Sequence, residues 1–394
     1  MRQPASEIAA IPLFSHGFRP FFLAGGLWAA IAMVLWIGAV TGQWTIASDY
    51  GPVAWHAHSL LFGYVSATMT GFLLTAIPNW TGRLPLSGGP LVGLVALWIA
   101  GRLALVFSDA IGTVPAAAIE SLFLIAVALT VVREIVAGKN WRNLKPVGLV
   151  SALALANIGF HAETILTGAP DYTMRAAIAL IVGLIMLIGG RVVPSFTRNW
   201  LAQRRARRLP VPFGKTDMRL MAVAAIALLT WVVVPEGWAT GTLLLIAAAA
   251  QLFRLARWAG LSTWRQPLVF VLHAAFAFVP FGFLLAGAAA LWPDMLPPRI
   301  ALHGWTAGAI ALMTLAVMTR ATLGHTGREL TAGAATTAIY LTAGLAVLAR
   351  LAVPFLPDLT MPLLELAAAA WIAAFAGFVV VYGPILVRQR RPQG

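Results

Sequence analysis

The sequence contains no cysteine. That removes disulfides, thiolate metal ligands and thiol nucleophiles, and leaves histidine as the main metal ligand to look for. Charge is also scarce. Charged residues make up 10% of the chain, against about 25% in a typical soluble domain. Acids are the rarer sign, 13 Asp and Glu against 27 Lys and Arg. The net charge of +14 would suit nucleic acid, but the bases are scattered between apolar segments. Topology accounts for them better, so membrane lipids are expected partners and nucleic acid is not. Strand-length apolar alternation is missing too, which excludes a β-barrel. No cleavable signal peptide is expected: "FFLAGGLWAAIAMVLWIGAV" is about 20 apolar residues, long enough to stay as a first span.

What is abundant is apolar sequence, 60% of the chain. Runs of spanning length fall at 21–40, 54–77, 90–108, 113–132, 147–167, 174–194, 218–235, 238–256, 267–291, 298–319, 331–352 and 362–387. Each is close to the roughly 20 residues needed to cross a hydrocarbon core of about 30 Å. The fold class is therefore an all-α, polytopic membrane bundle of about twelve helices. With the N-terminus in the cytoplasm, 23 of the 27 bases fall inside, Arg2 and Arg391 among them. Only Arg102, Arg175, Arg299 and Arg350 fall outside. Asp49, Asp109, Asp171, Glu236, Asp294 and Asp358 lie at outer ends. This asymmetry predicts both termini in the cytoplasm of a bacterial inner membrane.

The cluster "RRARR" (Arg204 to Arg208) reads as a cytoplasmic loop facing anionic headgroups. It divides a single membrane domain into six-helix halves, 1–203 and 204–394. Weak echoes link "GFLLTAIPNWTGR", "GGRVVPSFTRNW" and "TRATLGHTGR", at the ends of the second, sixth and tenth spans.

Ionisable groups inside a membrane are costly, so seven histidines stand out. At about 1.5 Å per helical residue, the topology puts His58 roughly 6 Å, His303 about 8 Å and His161 about 9 Å below the outer face. Three independent spans thus bring an imidazole to one layer. His273 lies instead about 9 Å from the inner face, and His16 and His325 fall in cytoplasmic segments. Converging imidazoles can hold a metal ion or clamp a haem iron. Each His could equally be a lone side chain bonded to a backbone carbonyl. Residues i and i+2 differ by about 200° around a helix, so His56 and His58 face opposite sides and do not readily chelate one ion. Asn157 and His161 are i,i+4 and share a face, while Glu163 points away. Ser59 lies one turn from His56. Arg102, Arg175 and Arg299, on the acidic outer side, suit the propionates of a haem, or simply snorkel to the interface.

Six stretches taken in order resemble one family. They are "GFRPFFL", "WHAHSLLFGY", "GFLLTAIPNWTG", "LWIAGRLAL", "GGRVVPSFTRNWL" and "LAVMTRATLGHTGREL". Together they resemble the NnrS family, bacterial inner-membrane proteins containing haem and copper and tied to nitric oxide. The resemblance covers nearly the whole chain. It implies a b-type haem, copper, and nitric oxide or a metal-nitrosyl species as ligand, in a nitrosative-stress response linked to denitrification. His56, His58, His161, His273, His303 and His325 fall where the family carries histidines. One departure stands out: the family's second span usually reads His-Ala-His-Glu, and here Ser59 follows His58. Chemistry that needs that acid, copper retention included, is thereby put in question. Glu120 and Glu163 are the acids placed to substitute.

The resulting expectation is a haem between the second span, through His58 or His56, and His303 of the tenth. The remaining second-span histidine would form another metal site with His161. His273, with His325, would be an inner site or a structural contact. An oxidoreductase acting on nitric oxide and a binder or sensor both fit. So do two alternatives: a haem–copper-type reductase, whose paired histidines on helices 6 and 7 have no counterpart here, and a secondary transporter with a His/Glu proton relay.

Overall fold

A computed structural model describes residues 7–46 and 48–390. Arg2 and Arg391, counted above for orientation, lie outside them. Among the described residues there are no strands. Within the same described residues, twelve helices are long and apolar enough to cross a membrane. They are α1 (Phe18–Val40), α2 (Gly51–Thr81), α3 (Gly89–Val106), α4 (Thr113–Ala137), α5 (Leu144–Thr167), α6 (Asp171–Gln203), α7 (Lys215–Val233), α8 (Trp238–Ala256), α9 (Pro267–Leu291), α10 (Pro298–His325), α11 (Ala334–Phe355) and α12 (Pro357–Val387).

Several helices outrun their apolar windows. α2 continues to Thr81 and α6 to Gln203, beyond the 77 and 194 expected from hydropathy. Hydropathy marks the bilayer crossing, whereas the helix ends where the backbone turns. For α2 that turn is Gly82, whose φ of +71° closes the helix with a bond from its N–H to the Pro78 carbonyl, 2.8 Å. Pro78 and Pro194 lie inside α2 and α6, as membrane helices allow.

Three of the helices contain a π-helical stretch. Ser59–Tyr64 in α2, Ile185–Gly189 in α6 and Gly304–Ala311 in α10 wind as π-helix. A π-turn shifts bonding to i→i+5 and disturbs the regular ladder, so the altered carbonyls need donors in a dry interior. In α2 two indoles supply them. Trp28 Nε1 donates to the Ser59 carbonyl and Trp98 Nε1 to that of Gly63, each at 3.0 Å. In α6 the Met186 carbonyl accepts from Arg254 Nη2 at 3.4 Å. The π-segments recur every fourth helix, on the same three helices that carry the sequence echoes.

The chain forms two compact units. One comprises Met1–Ala177, Met318–Glu329 and Phe375–Gly394; the other comprises Ile178–Val317 and Leu330–Ala374. In the first, α1 packs on α2, α3 on α4, and α4 on both α2 and α5. α2 is the most enclosed helix, with 83% of its apolar window buried. In the second unit α7, α8, α9 and the π-segment of α10 pack in sequence order. There Gly241 of α8 lets Leu291 of α9 approach so closely that a methyl group would overlap its side chain.

Candidate metal centre

Four helices of the first unit each deliver a polar side chain to one buried point. α2 supplies His58, α3 Arg102, α4 Glu120 and α5 both Asn157 and His161. All five are buried. Asn157 and His161 share a face of α5, as their spacing requires. Glu163, turned away, works elsewhere: it accepts the Tyr172 and Thr173 N–H groups at 2.8 Å each, at the start of α6.

Glu120 is the hub. Its Oε1 takes the Arg102 guanidinium in a close ion pair. Its Oε2 accepts from Asn157 Nδ2 at 2.8 Å and from His161 Nε2 at 2.9 Å, and lies 3.4 Å from His58 Nε2. Asn157 Nδ2 also lies 3.1 Å from His58 Nε2. An amide NH2 only donates, so His58 Nε2 is the basic nitrogen of that ring. Carboxylate Oε2 only accepts, so His161 Nε2 carries the proton and His161 Nδ1 is basic. The Tyr50 hydroxyl, 2.8 Å away, donates to that Nδ1. Space for the guanidinium comes from Gly63, in the π-segment: a methyl there would overlap Arg102 Nη1.

Tyr50 is held over the centre by its loop. Ser48 Oγ contacts Ser108 Oγ at 3.0 Å, and the Asp49 N–H donates to Ser108 Oγ at 3.3 Å. Burial, then the charges of Glu120 and Asp49, pushes the Tyr50 phenol above its ordinary range. The phenol therefore stays protonated at neutral pH.

The two imidazoles and the carboxylate bring one ligand atom each within 4.8 Å of one another. Two nitrogens and an oxygen are a donor set that suits copper, iron or zinc. Four buried atoms of the cluster, His58 Nδ1, Asn157 Oδ1 and Arg102 Nε and Nη1, have no hydrogen-bond partner. A polar network left open at such points is one built to hold something more. The residues therefore fit a metal ion.

The other histidines have partners of their own. His56 stacks on Trp36, ring centroids 4.3 Å apart, on the opposite side of α2 from His58. His273, in the second unit, bonds Thr197 Oγ1 at 2.7 Å. Thr197 spends its one proton on the Val193 carbonyl at 2.9 Å, so His273 Nε2 donates to it. His325 rests against Phe18, centroids 5.4 Å apart. His16 also lies near Phe18; burial, then the charges of Arg19, His325 and Arg390, holds its imidazole below its ordinary range. His303, in the second unit, precedes the α10 π-segment, and its Nδ1 donates to the Arg299 carbonyl at 3.1 Å. Arg175 lies over the Tyr172 ring.

Sequence reasoning named Glu120 only as a substitute acid, and missed both Tyr50 and the Arg102–Glu120 pair. It also gave Arg254 no role beyond the charge count. Arg254 is fully buried, bonding Asp217 Oδ1 at 3.2 Å and Gln251 Oε1 at 2.8 Å. A single Glu inside "AAAIESLFL" and the Gln251–Arg254 pair inside α8 were the available signals.

Fold and site together define a multi-pass membrane protein with a buried histidine–carboxylate centre. The chain belongs to the NnrS family, described as NnrS protein, which matches residues 12–390. Family membership makes it a membrane protein of the nitric oxide response. No curated protein and no solved structure matches the chain.

Proposed function

We propose that this is a bacterial inner-membrane protein, both termini cytoplasmic, that binds or processes nitric oxide or metal-nitrosyl species at metal centres, one of them held by His58, Glu120 and His161. The observation that carries the proposal is the convergence of those three ligand atoms within 4.8 Å of one another, on three buried side chains. Copper is the ion the family suggests for it. Ser59 has no carboxylate to offer, and Glu120 brings one from α4 to His58 and His161. When bound, the ion would supply an open coordination position for a small neutral gas. Nitric oxide is lipid-soluble and reaches such a pocket through the bilayer, so no polar channel is needed.

The residues do the rest. Arg102 neutralises Glu120 and fixes its carboxylate plane. Asn157 ties Glu120 to His58. Tyr50 covers His161 from the outer side. With His58 committed to this centre, His56 on the far side of α2 is the second-span candidate for haem iron. His303 is a candidate in its own unit. Its Nδ1–H bond to the Arg299 carbonyl makes Nε2 the basic nitrogen, the orientation a metal-binding imidazole needs. Arg102 is engaged with Glu120 and is set aside as a haem-propionate partner, and Arg175 and Arg299 stay as candidates.

The test is metal and pigment analysis of the purified full-length protein. One copper per chain, lost in His58→Ala and His161→Ala, together with a Soret band shifted by nitric oxide, is expected. Copper unchanged in both variants would overturn the assignment of the centre. Colourless protein without bound metal would favour the transporter reading, with Glu120 and its histidines as a proton relay.

A further inference from the structure

Of the two imidazoles in the centre, only His161 has a partner on its far nitrogen. His58 Nδ1 has none. His161 Nδ1 has the Tyr50 hydroxyl at 2.8 Å. That hydroxyl is buried, and its loop is tied at two points to Ser108, itself fully buried. So the phenol is held in place by structure outside the four ligand helices.

A hydroxyl can both donate and accept. As the centre stands, Tyr50 donates to His161 Nδ1, and His161 Nε2–H points at Glu120. For Nε2 to take an ion, its proton has to leave that side of the ring. If the proton sits on Nδ1 instead, the Tyr50 oxygen accepts it by rotating its own hydrogen away. The ring stays neutral and the Nδ1–H keeps the Tyr50 oxygen as its partner, while the ion takes the place of the Nε2 proton beside Glu120. Without the hydroxyl, the Nδ1–H of a metal-bound His161 would be buried with nothing to bond.

We propose that Tyr50 is a positioning residue that sets the tautomer of His161 and thereby the affinity of the centre for its ion. The proposal rests on the metal reading above. Outer hydrogen-bond partners of ligating histidines are worth about 10–100-fold in metal affinity. Nothing in the alternative, in which Tyr50 only fills space, predicts an effect on the imidazole itself.

The experiment uses full-length protein in detergent, stripped of metal and titrated with Cu2+ against a competing chelator. Pulsed electron paramagnetic resonance then reads the remote imidazole nitrogens of the bound copper. Tyr50→Phe is expected to bind Cu2+ about 10–100-fold more weakly, and to alter the remote-nitrogen signal that His161→Ala removes. Ser108→Ala, which loosens the loop but keeps the phenol, is expected to show a smaller loss of the same sign, and serves as the readout should Tyr50→Phe not fold. If wild type and the ligand variants titrate alike, the metal reading itself fails. If wild type binds copper while Tyr50→Phe matches it in affinity and in the remote-nitrogen signal, only the role of Tyr50 fails. An unaltered Ser108→Ala affinity would count against it likewise.

Discussion

Arg102 and Glu120 form an ion pair whose side chains are 3% and 0% exposed. It joins α3 to α4 in the apolar interior of the first unit. Removing one partner of a buried pair strands the other charge, at a cost of about 3–5 kcal/mol, whereas replacing both by apolar groups is often neutral. Glu120→Gln and Arg102→Met should therefore each lower unfolding free energy in detergent by roughly that amount. The double variant Arg102→Met with Glu120→Leu should be more stable than either. A double variant whose loss equals the sum of the singles would refute this account.

The α2 π-segment depends on two indoles. Trp28→Phe and Trp98→Phe keep the ring bulk but leave the Ser59 and Gly63 carbonyls without their donors. Each should cost about 1–3 kcal/mol. Hydrogen exchange should speed up in residues 59–65. Trp292→Phe, at a half-exposed end of α9, is the control and should be close to neutral. Equal melting of all three variants would show that the indoles only fill space.

In the second unit, Asp217 holds the buried Arg254, and Arg254 in turn holds the Met186 carbonyl. Asp217→Asn should destabilise by about 3 kcal/mol. It should leave copper stoichiometry at wild-type level, because Asp217 and its partners Arg254 and Arg257 belong to the second unit and His58 to the first. Loss of copper from folded Asp217→Asn protein would contradict that independence.

His16 provides the pH dependence. Its imidazole is held below its ordinary range by burial and by neighbouring cations. A depressed histidine contributes stability above its unfolded pKa, near 6.5, and that contribution is lost as pH falls, when the unfolded chain takes up the proton first. The melting temperature should decline slightly between about pH 7 and 5. His16→Gln should flatten that decline, the effect being small because part of the ring meets solvent. An identical pH profile for wild type and His16→Gln would dispose of the claim.

The helices were legible because a spanning helix announces itself by length and hydropathy alone. So were the opposite faces of His56 and His58 and the shared face of Asn157 and His161, since both follow from 100° per residue. What could not be read was contact between helices. Glu120 sits in an alanine-rich run whose own periodicity says nothing of α2 or α5. Arg102 looked like an interfacial cation because depth was judged from the nearest helix end, not from the carboxylate one helix away. The π-turns left no composition signal, because the Trp28 and Trp98 donors that support the one in α2 lie on other helices. Tyr50 fell just outside a span and was passed over as loop.

The pairing of Arg102 with Glu120 cancels the carboxylate's charge before any ion arrives. A doubly charged cation entering there would leave two positive charges in surroundings unable to solvate them, while a singly charged one would leave half as much to offset. On the metal reading proposed above, the built-in counterion would favour a singly charged cation over a doubly charged one. It also favours a negatively charged guest as companion to whichever ion is held.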